Sequence, residues 1–122
     1  MIIGHGVDIL DKNRFNNLLK KYPIRFIEKY FKYDGLNIKD HDILSNNFTA
    51  KEAFSKALGL GFRYPCFPNH ICIKRDDLGK PSIYLKDELK KYIIEKHNNY
   101  VIHLSISDTF NHSISSVIIE QI

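Results

Sequence analysis

The chain has 122 residues, enough for one domain over residues 1–122 with a real core. Its 43% hydrophobic and 26% charged residues fit a soluble protein, and no apolar run reaches the length of a membrane span. A net charge of +4 and a pI near 9.0 favour acidic partners, but the lysines are interleaved with acids, so neither a nucleic acid nor a membrane is an expected partner.

Residues 2–9 read as a first strand, with Ile3, His5, Val7 and Ile9 on one face and Ile2, Gly4, Gly6 and Asp8 on the other. The two glycines leave open space beside Asp8, where a cation or phosphate can approach. Asp11 is the better cap for the helix that follows, since Phe15, Leu18, Leu19 and Tyr22 have helical spacing. Asp8 is left without a structural role. That helix exposes Lys12, Arg14, Lys20 and Lys21, and Pro23 ends it or starts a second short helix carrying Arg25, Phe26, Tyr30 and Phe31. Asp34-Gly35 marks a turn.

A long helix runs from Ile38 or Lys39 to Leu58 and carries Glu52 and Lys56 four residues apart on one face, with Ala53, Phe54, Ala57 and Leu58 forming an apolar stripe. Taken alone, Glu52 and Lys56 read as an ordinary surface pair, or Thr49 and Glu52 as a capping box. The apolar stripe extends back through Ile43, Leu44 and Phe48, which puts Glu52 in mid-helix instead. Gly59 ends the helix.

Residues 60–69 read as an aromatic loop, 71–74 and 81–85 as a hairpin around Asp-Asp-Leu-Gly, and Asp87 as the cap of a helix to His97 that buries Leu89, Tyr92, Ile93 and Ile94. Residues 100–107 alternate cleanly, with Ile102, Leu104 and Ile106 on one face and His103, Ser105 and Ser107 on the other; 113–119 forms the returning strand. Cys66 and Cys72 lack paired metal spacing, and no export signal opens the chain. They read as reduced structural thiols of a cytoplasmic protein.

Four stretches taken together carry a resemblance: Gly6-Val7-Asp8-Ile9, Lys51-Glu52-Ala53-Phe54-Ser55-Lys56-Ala57-Leu58-Gly59, Gly79-Lys80-Pro81 and Ile102-His103-Leu104-Ser105-Ile106-Ser107. In order and spacing the chain resembles the holo-(acyl-carrier-protein) synthases, the small stand-alone phosphopantetheinyl transferases. The resemblance implies an α+β fold, mainly antiparallel sheet packed against a long central helix and shorter helices. It implies transfer of 4′-phosphopantetheine from coenzyme A to a serine of apo acyl carrier protein, in support of fatty acid biosynthesis.

The resemblance also implies roles. Asp8 and Glu52 would hold Mg²⁺, and Asp8, Glu52, Lys56 and His103 would form the catalytic set. Lys56, Gly59, Pro81, His103 and Ser105 would meet coenzyme A, and Arg14 and Arg25 would dock the acidic carrier protein. A homotrimer with sites between neighbouring chains is expected. This chain departs from the family pattern at Asn47, where many relatives have arginine, and at Asp108, where histidine is usual. These departures motivate an alternative, a coenzyme A or carrier-protein binding module without transfer activity.

Overall fold

The computed structural model describes residues 1–35 and 39–122. Among these residues the elements follow in the order β1 (Ile2–Asp11), α1 (Lys12–Lys21), α2 (Pro23–Phe26), a π-helical turn (Ile27–Phe31), α3 (His41–Leu58), a 3₁₀ turn (Pro68–His70), β2 (Ile71–Arg75), β3 (Pro81–Leu85), α4 (Asp87–His97), β4 (Tyr100–Asp108) and β5 (His112–Gln121). Strands β1, β5 and β4 form one antiparallel sheet in that order, and β2 and β3 form a second. None of the described helices is long and apolar enough to cross a membrane.

The inner face of the three-stranded sheet is set by register. Gly6 pairs with Val117 and Val117 with Leu104, while Asp8 pairs with Ser115 and Ser115 with Ile106. Across this face lies α3. A Cβ on Gly4 would run into the Ala57 carbonyl and one on Gly6 into the Ala53 carbonyl, so the helix backbone rests directly on β1. The glycines therefore do not leave open space beside Asp8. They give that space to α3, while Val7 and Ile9 point outward, 44% and 66% exposed.

Helix α3 starts at His41, because the Asp40 side chain accepts from the Ile43 N–H at 3.3 Å. This is later than the expected start; Ile38 lies outside the described residues. Gly59 closes the helix at φ 86°. Ala50, Ala53, Phe54 and Ala57 pack with Val117 and Ile119 of β5, Ile71 and Ile73 of β2, Ile83 and Leu85 of β3, and Leu89 and Ile93 of α4. A second cluster joins Phe15 and Leu19 of α1 to Phe31 and Leu44, with Phe26, Tyr30 and Phe48 around it.

Two local expectations change. Asp87 does not cap α4: it is the first helical residue, at φ 53°, and its carboxylate lies 3.6 Å from His70 Nε2. On the same helix Leu89 and Ile93 are buried as expected, but Ile94 is exposed. An α-helix has only one stripe in reach of a flat neighbour, and Ile94 lies outside it.

Candidate active site

Asp8 sits on the inner face of β1 beneath α3. Lys56 Nζ donates to Asp8 Oδ1 at 3.1 Å and to the Val7 carbonyl at 3.1 Å. Thr49, the residue considered as a cap, instead donates its hydroxyl to the Asp8 carbonyl at 3.2 Å. Three positions one helical turn or so apart thus face the same strand end: Thr49 holds the backbone, and Glu52 and Lys56 flank the carboxylate. The Lys56 ammonium pairs with Asp8 rather than with Glu52, so the surface-pair reading does not hold.

Glu52 is half-buried. Burial, and then the charge of Asp8, push its carboxyl above the ordinary glutamate range, with Lys56 pulling the other way. Two carboxylates that destabilise one another are a donor set suited to a hard divalent cation. Among the described residues no group of three or more His, Cys, Asp or Glu gathers as a metal cage. Water and substrate phosphate oxygens would have to complete the coordination, as is usual for Mg²⁺.

His103 and Ser105 lie elsewhere. Both project from the outer face of β4, where His103 pairs with Ile118 and Ile118 with His5. His103 Nε2 is 3.0 Å from Glu120 Oε1, and Ser105 helps line a shallow depression with His103, Ser116 and Ile118. Within one chain the sheet separates them from Asp8. Gly59 follows Lys56 at the end of α3, whereas Pro81 opens β3 in the other sheet, opposite Arg75.

The model of the 4′-phosphopantetheinyl transferase superfamily matches residues 4–105. The chain belongs to this family. It is 40% identical over 127 residues to the holo-(acyl-carrier-protein) synthase of Clostridium botulinum, with all of both chains covered. Among solved structures it is similar to the holo-(acyl-carrier-protein) synthase of Neisseria meningitidis, at 32% identity and a TM-score of 0.84 over 98% of this chain and 99% of that one. It is also similar to the Bacillus anthracis synthase in complex with coenzyme A (3′,5′-ADP), at 29% identity and a TM-score of 0.75 over 100% and 99%. The α+β fold expected from the sequence is the fold of these synthases.

On this transferase Arg14 and Arg25 are both exposed on the helical side of the molecule. Arg14 lines a depression of about 210 Å³ with Ile9, Leu18, Phe26 and Phe48. Arg25 lines one of about 280 Å³ with Tyr22, Phe26, Lys29 and Tyr30. Phe26 belongs to both, so the two arginines flank a shared aromatic floor.

The two departures from the family pattern both make intrachain contacts. Asn47 is fully buried and its Nδ2 donates to Asp34 Oδ2 at 3.1 Å. That side chain faces inward. Asp108 accepts from Lys12 Nζ at 2.9 Å, and Lys12 also donates to Asp42 at 3.1 Å. Lys12 is therefore buried, not part of the exposed basic face. Burial opposes its charge, but the hydrogen bonds to Asp108 and Asp42 prevail and hold it above the ordinary lysine range.

Sequence reasoning missed the partners of Lys51 and Asp34, whose side chains are both fully buried and 3.1 Å apart. The signal available was a lysine on the apolar side of α3, which no periodic surface face explains. Cys66 and Cys72 are free and buried, and burial pushes the Cys66 thiol up to about 12, in keeping with an inert structural thiol.

Proposed function

We propose that the chain acts as one domain over residues 1–122 to transfer 4′-phosphopantetheine from coenzyme A to a serine hydroxyl of apo acyl carrier protein, releasing adenosine 3′,5′-bisphosphate, with Asp8, Glu52 and Lys56 as the reacting centre. The observation that carries this reading is the meeting of Asp8 with Lys56, 48 residues later, beside a Glu52 carboxyl raised by burial and by Asp8. Perturbed and mutually coupled charges of this kind mark sites of chemistry.

Asp8 and Glu52 are the residues that would hold Mg²⁺. When bound, the ion supplies charge neutralisation on the pyrophosphate of coenzyme A. Lys56 shares the site and is more than half exposed. Its ammonium can exchange the Asp8 contact for a phosphate oxygen and stabilise the charge that develops on the leaving phosphate. The serine oxygen forms the new P–O bond to the pantetheine phosphate as the bond to the departing bisphosphate breaks, and the serine proton leaves to a nearby base.

His103 and Ser105 contribute to this reaction only if a second copy brings its own sheet to the site. The outer face of β1, β5 and β4 is mixed: Val7, Ile9, Val101 and Ile114 are exposed on it beside His5, His103, Ser105 and Glu120, and the exposed apolar side chains among them support that reading. A homotrimer seated on this face would let His103, Ser105, Gly59 and Pro81 surround coenzyme A together with Lys56. Arg14 and Arg25 dock the acidic carrier protein, and the cytoplasm and fatty acid biosynthesis are the setting in which that carrier works.

The experiment is a mass shift. Apo acyl carrier protein incubated with the folded enzyme, coenzyme A and Mg²⁺ gains the mass of phosphopantetheine, and no gain across several carrier proteins overturns the proposal. The alternative of a binding module without transfer rested on Asn47 and Asp108. In this chain Asn47 contacts Asp34 and Asp108 contacts Lys12, away from Asp8, Glu52 and Lys56; coenzyme A binding without a mass gain on the carrier would favour that alternative.

A further inference from the structure

We infer that Lys51 is a positioning residue: its buried contact with Asp34 fixes the carrier-docking segment, residues 23–34, against the catalytic helix α3. The inference rests on the reading of Arg25 and its neighbours as the carrier dock. Lys51 has no access to solvent or substrate. Its Nζ donates to Asp34 Oδ1 at 3.1 Å and to the Pro68 carbonyl at 3.0 Å, and it lies 5.7 Å from the centre of the Phe31 ring. The second Asp34 oxygen accepts from Asn47, one turn earlier on α3.

Three segments meet at this ammonium: α3, the turn that follows the π-helical stretch, and the 3₁₀ turn at Pro68. Asn69 adds to the clamp, since its Oδ1 accepts from the Lys32 N–H at 3.1 Å and its Nδ2 donates to the Glu28 carbonyl. The docking segment is thus tied down at its far end by directed polar contacts. Burial pulls the Lys51 ammonium below its ordinary range against the pull of Asp34. An apolar pair of similar volume would avoid this cost.

What an apolar pair would lack is direction. Lys51 and Glu52 are adjacent on α3 and point about 100° apart around its axis. Holding Lys51 inward toward Asp34 therefore sets the angle at which Glu52 faces Asp8. The same contact sets the distance between the docking segment and that carboxylate. A docked serine hydroxyl reaches the reacting centre only if both are right, and misplacement by about 1 Å can cost on the order of 10²-fold in rate.

The test is the double variant D34N/K51M, which removes both charges and leaves an acceptor for Asn47. Its melting curve establishes folding, and binding of coenzyme A and of apo carrier protein is measured beside turnover. The expected result is a folded protein whose two Kd values stay within about two-fold of wild type while kcat falls at least about ten-fold. A folded double variant with wild-type kcat, or one whose loss lies in the Kd values, overturns the inference. Should it not fold, Lys51→Arg decides, since it keeps the charge but reshapes the contacts: lowered kcat with unchanged Kd supports positioning, and wild-type kcat overturns it. Wild-type protein is assayed first, because absence of transfer there overturns the proposed function and not the role of Lys51.

Discussion

Gly6 lies directly beneath Ala53: a Cβ on Gly6 would meet the Ala53 carbonyl oxygen and come to 2.6 Å from the Ala57 amide nitrogen. This approach brings Glu52 and Lys56 down onto Asp8. The obstacle is helix backbone, which has no rotamer to yield. Gly6→Ala is expected to cost about 3 kcal/mol or more, the upper end for overpacking, and to lift α3 from β1 with loss of transfer. Gly79→Ala is the control. It meets nothing within 4 Å and incurs only the strain of φ +86°, about 1 kcal/mol. Urea unfolding of both variants measures the difference.

Glu52→Gln keeps the shape of the side chain and removes one of two neighbouring negative charges. Without added metal the variant is expected to be at least as stable as wild type, because the cost of burying the charge and then the Asp8 repulsion are relieved, outweighing the lost attraction of Lys56. Added Mg²⁺ raises the melting temperature of wild type by mass action and that of the variant much less. Transfer activity falls on the order of 10²-fold or more. Unchanged turnover would remove Glu52 from the reacting centre.

Charge reversal at Arg14 and Arg25 tests the dock. The Arg14→Glu, Arg25→Glu double variant is expected to raise KM for acyl carrier protein about ten-fold while leaving KM for coenzyme A unchanged, since both arginines are exposed and exposed charges act chiefly on encounter. Raising ionic strength should weaken wild type toward the variant. Equal salt dependence of the two would place the dock elsewhere.

Asp108 gives a pH-dependent prediction. The Lys12 hydrogen bond holds its carboxyl below the ordinary 3.8, and Lys12 is held above 10.5. A depressed carboxylate contributes stability that is present above its unfolded value and lost as pH falls through the folded one. The raised lysine contributes below 10.5 and loses its share as pH rises past the folded value. Asp108→Asn should therefore cost about 1 kcal/mol or less at neutral pH, kept small by a side chain 40% exposed to screening water. In strong acid the difference from wild type should vanish, as denaturant midpoints at the two conditions would show.

By itself the sequence determined most of the elements and singled out Asp8, Glu52 and Lys56, which the fold brings together. The alternation in β4, the stripe of α3 and the Asp11 cap are local, because strand and helix periods and cap hydrogen bonds depend on near neighbours in the chain. The motif around Glu52 and Lys56 was legible for the same reason, and the family pattern added Asp8. Only the tertiary structure decided what lies opposite each of these. It filled the space beside Gly4 and Gly6 with the backbone of α3, buried Lys12 and Lys51, and turned Asn47 inward. It also set His103 on the face of the sheet away from Asp8. The partners involved are far along the chain, 17 residues for Lys51 and Asp34 and 96 for Lys12 and Asp108. A lysine reads the same on a solvated face as beside a buried carboxylate until packing brings that carboxylate to it.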